Sequence, residues 1–281
     1  MSLLTLNNLN ITIGDNQKLK NSTLSINPGD AILLSGKNGS GKSTIAKLIM
    51  NDLSEYNSLK ISGMITWQEE LDLCQEENRN KFNYQTCYVP QEDYFEADTI
   101  LECCINTLNP FREIKNKQSF VFSFVKSNKI YESVFDVNAS FKFSRKGKAL
   151  LRKVGIAVED ATTEDQKTAQ YLSLNPMQLS GGQKKIANIL CNMVKVDLCN
   201  LCIIDEPLNA LDFGNVRMFS NLLTALSQKN KNLAFLIISH CRCLPIINKI
   251  YKIEDSNIIS ELADTKCYSC FGSTDEHGFY I

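Results

Sequence analysis

The stretch Gly36, Lys37, Asn38, Gly39, Ser40, Gly41, Lys42, Ser43 and Thr44 constrains the fold of this chain more than any other part of it. Just before it, residues 31–34 (AILL) form an uninterrupted apolar run, the pattern of a strand buried on both faces of a parallel sheet. Just after it, residues 43–50 read as a helix. Glycines at 36, 39 and 41 let the backbone adopt conformations that a side chain forbids, so successive N–H groups can converge at a helix N-terminus. That concavity suits phosphate oxygens. A glycine turn before an ordinary helix is the plainer alternative, and the order of strand, loop and helix speaks against it.

In this setting Lys42 can reach the β and γ phosphates of a nucleoside triphosphate, and the Ser43 hydroxyl can ligate Mg²⁺. A second chemical signal is LCIIDEP, in which four apolar residues end in Asp205 and Glu206 at the expected carboxyl edge of a sheet. Asp205 suits the Mg²⁺ shell, and Glu206 suits polarising an attacking water. In a chain without the glycine loop, an acidic pair at a helix start would be read as a cap.

The third signal is Leu179, Ser180, Gly181, Gly182 and Gln183. Here a hydroxyl and two unshielded N–H groups lie at a helix start, a second cradle for an anion. With the two motifs above, this LSGGQ resembles the signature of the ABC ATPase superfamily. The resemblance implies that the signature acts in trans on the γ-phosphate of an opposing domain. A second ABC ATPase domain, identical or not, is therefore an expected partner. It further implies that Gln91 in YVPQED is the Q-loop glutamine, sensing Mg²⁺ and the γ-phosphate, that Asp212 in NALD belongs to the D-loop, and that His240 in LIISHC is the switch histidine. Taken singly, Gln91 reads as a surface residue and His240 as a structural histidine. The likeness runs from about Ser2 to Lys252.

Two departures from the family pattern stand out. Where the family places an aromatic against adenine, ITIGD offers Ile13, which covers a base with less selectivity. After the signature, KKIANIL lacks arginines and leaves Lys184 and Lys185 as the nearby cations.

Residues 4–13 and 19–26 alternate partially, as half-buried strands of an antiparallel flap do. Residues 87–89, 201–204 and 233–238 continue the buried-strand pattern, with a helix expected over 214–226. The span 93–178 holds helical patterns, including 99–108 and 148–154. The expected fold is α/β: a P-loop NTPase with a central, mainly parallel sheet, an N-terminal antiparallel β flap and an inserted helical subdomain. As one ABC ATPase domain, the chain would place its core in 1–92 and 179–260, the helical subdomain with extra material in 93–178, and a tail in 261–281.

In that insertion Phe120, Phe122, Phe124, Phe135, Phe141 and Phe143 read as core or as a docking face. Lys142, Arg145, Lys146, Lys148, Arg152 and Lys153 read as a solvated helix face or as a contact for anionic headgroups. In the tail, Cys267, Cys270 and His277 supply three ligands of a metal site at most.

Composition narrows the function. With 43% hydrophobic residues and a net charge of −1, the chain has the makings of a full core and no general attraction to nucleic acid. Its 11 cysteines are scattered through core-like segments and read as buried thiols of a reducing compartment. No apolar stretch is long enough to span a membrane. The resemblance therefore implies an Mg²⁺-dependent ATPase, cytoplasmic and peripheral on the cytoplasmic face of a membrane, energising separate multi-span membrane domains by ATP-driven dimer closure. A soluble, non-transport ABC ATPase of the iron-sulfur cluster assembly type is the alternative.

Overall fold

The computed structural model describes residues 1–261 except 54, 55, 57, 74, 75, 136–140, 142, 210 and 243. Cys267, Cys270 and His277 lie outside the described residues, as does Lys142. In chain order the elements are β1 (Leu4–Ile13), β2 (Asn16–Ile26), β3 (Ala31–Gly36), α1 (Lys42–Met50), β4 (Leu59–Trp67), β5 (Leu71–Asp72), α2 (Glu76–Gln85) and β6 (Thr86–Val89). Then follow α3 (Ile100–Thr107), α4 (Lys117–Ser127), α5 (Arg145–Lys153), α6 (Thr163–Leu172) and α7 (Gly181–Met193). The chain continues through β7 (Leu201–Asp205), α8 (Phe213–Lys229), β8 (Ala234–Ile238), β9 (Lys249–Glu254) and β10 (Asn257–Glu261). The backbone forms two compact units. The first comprises residues 1–88, 198–208 and 226–281, and the second 89–197 and 209–225.

The first unit is built on two sheets. One is antiparallel, in the order β2-β1-β4-β5; the other runs β10-β9-β3-β8-β7-β6. β3, β7 and β8 are buried along their whole length, which matches their unbroken apolar sequences. Leu4, Leu6 and Ile11 from β1 share one core with Ile32 and Leu34 of β3 and with Ile45 and Ile49 of α1. Trp67 is fully buried in that core, edge-on to Phe82 at 4.9 Å, and its indole N–H donates to Gln85 Oε1 at 3.1 Å. The flap is larger than the two strands expected from sequence, because β4 pairs with β1 along most of its length. β4 is exposed at five consecutive positions, and its apolar alternation is interrupted at Gly63 and Met64, so it reads as two short fragments and not as one strand.

In the second unit α3 to α7 pack around Val121, Phe122, Phe124, Leu151 and Tyr171, all buried. Phe135, Phe141 and Phe143 are half-buried and stack in series, at 5.2 and 6.2 Å between ring centroids. Of the six phenylalanines, Phe122 and Phe124 thus serve as core, while Phe120, Phe135, Phe141 and Phe143 are half-buried. Cys87, Cys103, Cys104, Cys191, Cys199 and Cys202 are buried free thiols. Cys241 is disulfide-bonded, so the expectation of thiols holds at those six and not at every cysteine. Among the described residues, no helix is long and apolar enough to cross a membrane.

Candidate functional site

Three adjacent parallel strands build the site of the first unit. β8 lies between β3 and β7, and the register sets Leu34, Ile238 and Asp205 level with one another. All three strands therefore end at one edge, the carboxyl edge at which open α/β sheets bind ligands. β3 delivers the glycine loop there, β7 delivers Asp205 and Glu206, and β8 delivers His240.

The loop depends on absent side chains at two positions. Gly36 sits at φ +148°, and a Cβ on it would stand 2.9 Å from both the Ile253 carbonyl oxygen and Ser40 Oγ. Gly41, at φ +104°, is the N-cap of α1 and offers no side-chain cap. The first N–H groups of α1 are thus left for a ligand, at the positive end of the helix. Ser40 Oγ is buried with no hydrogen-bond partner among the described residues.

Lys42 is buried, and its Nζ donates to the carbonyls of Gly36 at 2.9 Å and Lys37 at 3.1 Å. Burial pushes the pKa of the ammonium down, while the Glu206 and Asp205 carboxylates pull it up. Ser43 Oγ donates to Asp205 Oδ1 at 3.1 Å. A hydroxyl and a carboxylate side by side are the hard oxygen donors that Mg²⁺ takes, so these two residues fit that ion.

Glu206 is buried and lies at φ +48°, in the left-handed region that non-glycine residues seldom occupy. Its N–H donates to the Ile238 carbonyl at 2.8 Å, so the neighbouring strand holds the strained turn. His240 Nε2 is 3.6 Å from Glu206 Oε1, 3.4 Å from Lys42 Nζ and 2.8 Å from Asn38 Oδ1. The Asn38 amide oxygen can accept from this nitrogen and the Lys42 ammonium can donate to it, so its role follows the tautomer. Burial, and then repulsion by Lys42, push the imidazole pKa below its ordinary value. At neutral pH the ring is therefore uncharged and can donate without adding charge to the site.

Sequence reasoning missed Lys18. Its ammonium donates to the Gly39 carbonyl at 2.8 Å, and its Cβ lies 3.1 Å from where a Cβ on Gly41 would be. With Asn16, Lys37 and Lys252 it lines a concavity of about 280 Å³ beside the loop. Only tertiary structure brings this strand residue there, so no local pattern marks it. Ile13 ends β1, pairs with Asn16 and Leu59, and packs against the hydrophobic core.

Gln91, the LSGGQ segment and Asp212 belong to the second unit. Ser180 is the N-cap of α7, and Ser180 and Gln183 bond each other's backbone N–H in a capping box. Gly181 has nothing within 4 Å of the position of a Cβ. Gln91 is exposed, and its carbonyl accepts from Lys185 Nζ at 2.6 Å. Lys185 is 3% exposed and also faces Asp93 Oδ1 at 3.7 Å. Its charge thus clamps the Gln91 segment onto α7, a use that the sequence reading of Lys184 and Lys185 as nearby cations had not anticipated. Asp212 accepts from the Asn215 N–H at 2.8 Å and from Asn215 Nδ2 at 3.0 Å, at the start of α8.

A family model described as ABC transporter matches residues 19–209. A probable ATP-dependent transporter of Antithamnion sp. is 30% identical over 258 residues, covering 89% of this chain and 86% of that protein. A phosphonates import ATP-binding protein of Fusobacterium nucleatum is 27% identical over 83% of this chain and 81% of its own length. Among solved structures, cbiO1 of Clostridium perfringens, part of an ABC transporter complex, superposes with a TM-score of 0.64 at 17% identity. That likeness covers 92% of this chain and 87% of the other, and it bears on the fold alone.

Proposed function

This chain belongs to the ABC transporter family and is an ATPase, and from that premise we propose that it energises transport through separate multi-span membrane chains, working as a dimer with Mg²⁺ and ATP. The observation that carries the reading is the row of the glycine loop, Asp205, Glu206 and His240 along one sheet edge, with Ser43 against Asp205. Lys42 and the N–H groups of Gly36, Lys37, Asn38, Gly39, Ser40, Gly41, Ser43 and Thr44 hold the phosphates. Ser43 and Asp205 would hold Mg²⁺, and Gln91, as the Q-loop glutamine, would sense that ion. When bound, the ion neutralises the charge that develops between the β and γ phosphates.

Glu206 accepts a proton from the attacking water, and the neutral His240 donates to the γ-phosphate. Leu179, Ser180, Gly181, Gly182 and Gln183 complete the site of the opposing domain, and Asp212 contributes across the same interface. Gln91 relays nucleotide state to the membrane chains. The name of the phosphonates import relative supports a transport role, though not that substrate for this chain. In this reading the chain works at the cytoplasmic face of the membrane.

The test is purification of the tagged Glu206→Gln chain with ATP from its native cell in mild detergent. Co-purification of multi-span membrane proteins is expected. Recovery of soluble partners alone would overturn the transport role and favour a non-transport ABC ATPase.

A further inference from the structure

Helix α5 places its charges on one side. Arg145, Lys146, Lys148, Arg152 and Lys153 are all exposed, while Gly147, Leu150 and Leu151 are buried. At 100° per residue the five cations and Ala149 fill an arc of about 160°. The helix carries no acidic residue, and none of the five cations is in an ion pair among the described residues.

The orientation of this face is fixed from beneath. Ser144 caps the helix, its Oγ accepting from the Gly147 N–H at 3.1 Å, and its own N–H donates to Gln170 Oε1 of α6 at 2.9 Å. A Cβ on Gly147 would stand 2.6 Å from the Phe143 ring, so glycine lets α5 lie against that ring. The cationic arc must then face outward.

Arg152 and Lys153 lie in the last turn, where the helix dipole favours cations, but two of the five charges are placed against it. Arg145 and Lys146 occupy the first turn, where no acid offsets them and where the helix dipole is already positive. A helix shaped only for stability would carry acids there. The whole chain has a net charge of −1, so the face is a local concentration and not a consequence of a basic protein.

We propose that the outer face of α5 docks on the anionic headgroups of a lipid bilayer, holding the second unit at the membrane surface. The choice of occupant rests on the transport role proposed above, which puts the chain beside a membrane. It also rests on charge complementarity: exposed cations along one side of a helix, none of them ion-paired among the described residues, suit a continuous anionic plane, which requires no matching shape. Nucleic acid fits less well, since single strands call for stacking aromatics beside the cations.

The experiment is co-sedimentation of the full chain with vesicles of phosphatidylcholine alone, or with about 30% phosphatidylserine, at low and physiological salt. Wild type should bind the anionic vesicles, leave the neutral ones, and bind less as salt rises. Each neutralised cation should weaken binding by about fivefold. Changing all five to glutamine should abolish binding while the variant still melts cooperatively and hydrolyses ATP. Equal binding to neutral vesicles, no binding to anionic ones, or wild-type binding by the five-site variant would overturn the proposal. A chain that binds anionic vesicles but hydrolyses no ATP would instead overturn the functional reading and leave the lipid contact standing.

Discussion

Replacing Gly36 with alanine tests whether the glycine loop is held by backbone geometry that only glycine provides. At φ +148° an L-residue is strained by about 1–3 kcal/mol. The new methyl would also lie 2.9 Å from the Ile253 carbonyl oxygen and from Ser40 Oγ, so β9 or the loop must move. Such overpacking costs about 1–3 kcal/mol more. A combined loss of about 2–6 kcal/mol lowers the melting temperature by about 4–24 °C in a protein of this size. Gly14 provides the control. Its φ of +58° is also left-handed, but nothing lies within 4 Å of a Cβ there. Gly14→Ala should therefore lose only about 1 kcal/mol. Calorimetry of the two variants, with ATP titration into each, separates strain from collision. Because the Gly36 carbonyl also positions Lys42, Gly36→Ala should bind ATP more weakly, and Gly14→Ala should bind as wild type does. A Gly36→Ala protein that melts with Gly14→Ala and binds ATP normally would refute the reasoning.

Lys185→Met removes a buried ammonium from the Gln91 carbonyl and from Asp93, and charged hydrogen bonds of this kind contribute about 1.5–3 kcal/mol. Urea unfolding should show a loss of about that size, and an unchanged midpoint would contradict the clamp. The chain has two histidines, so a proton NMR titration resolves His240 readily. The His240 signal should titrate below 6.5, because burial and Lys42 both oppose its charge. The associated stability is present above that pH and falls as the unfolded chain takes up the proton first. Burial alone would raise the pKa of Asp165, but hydrogen bonds from Lys126 and Thr162 outweigh it and hold the carboxyl below its usual range. That contribution is full above pH of about 4 and disappears as pH falls through the lower folded value. Acid unfolding of Lys126→Met should accordingly show a smaller loss of stability over that window than wild type.

Much of the candidate site at the sheet edge was legible because its pattern is local. The glycine loop, the apolar runs of β3, β7 and β8, and the residues that follow them are contiguous in sequence, and parallel pairing only has to bring their ends level. What escaped notice depends on tertiary placement. Lys18 sits in an edge strand and gains its meaning from the Gly39 carbonyl it reaches. The positive φ of Glu206 is imposed by a hydrogen bond to the next strand, and no propensity of glutamate foretells it. α4 is instructive in another way. Phe120, Phe122 and Phe124 repeat every second residue, as in a strand, yet the segment is helical. Asn116 caps it, and Val121 and Val125 join Phe122 and Phe124 in a buried stripe that the aromatic alternation conceals. β9 and β10 were missed because their alternation is weak and their exposed charges resemble those of a loop.

The most direct test of the account is the rate of Mg²⁺-dependent ATP hydrolysis by the wild-type chain and by Glu206→Gln, with ATP affinity measured in parallel. If Glu206 polarises the attacking water, the variant should bind ATP as wild type does and turn over more slowly by a factor on the order of 10² to 10⁴. A Glu206→Gln protein that hydrolyses ATP at the wild-type rate would contradict the assignment at the centre of the mechanism.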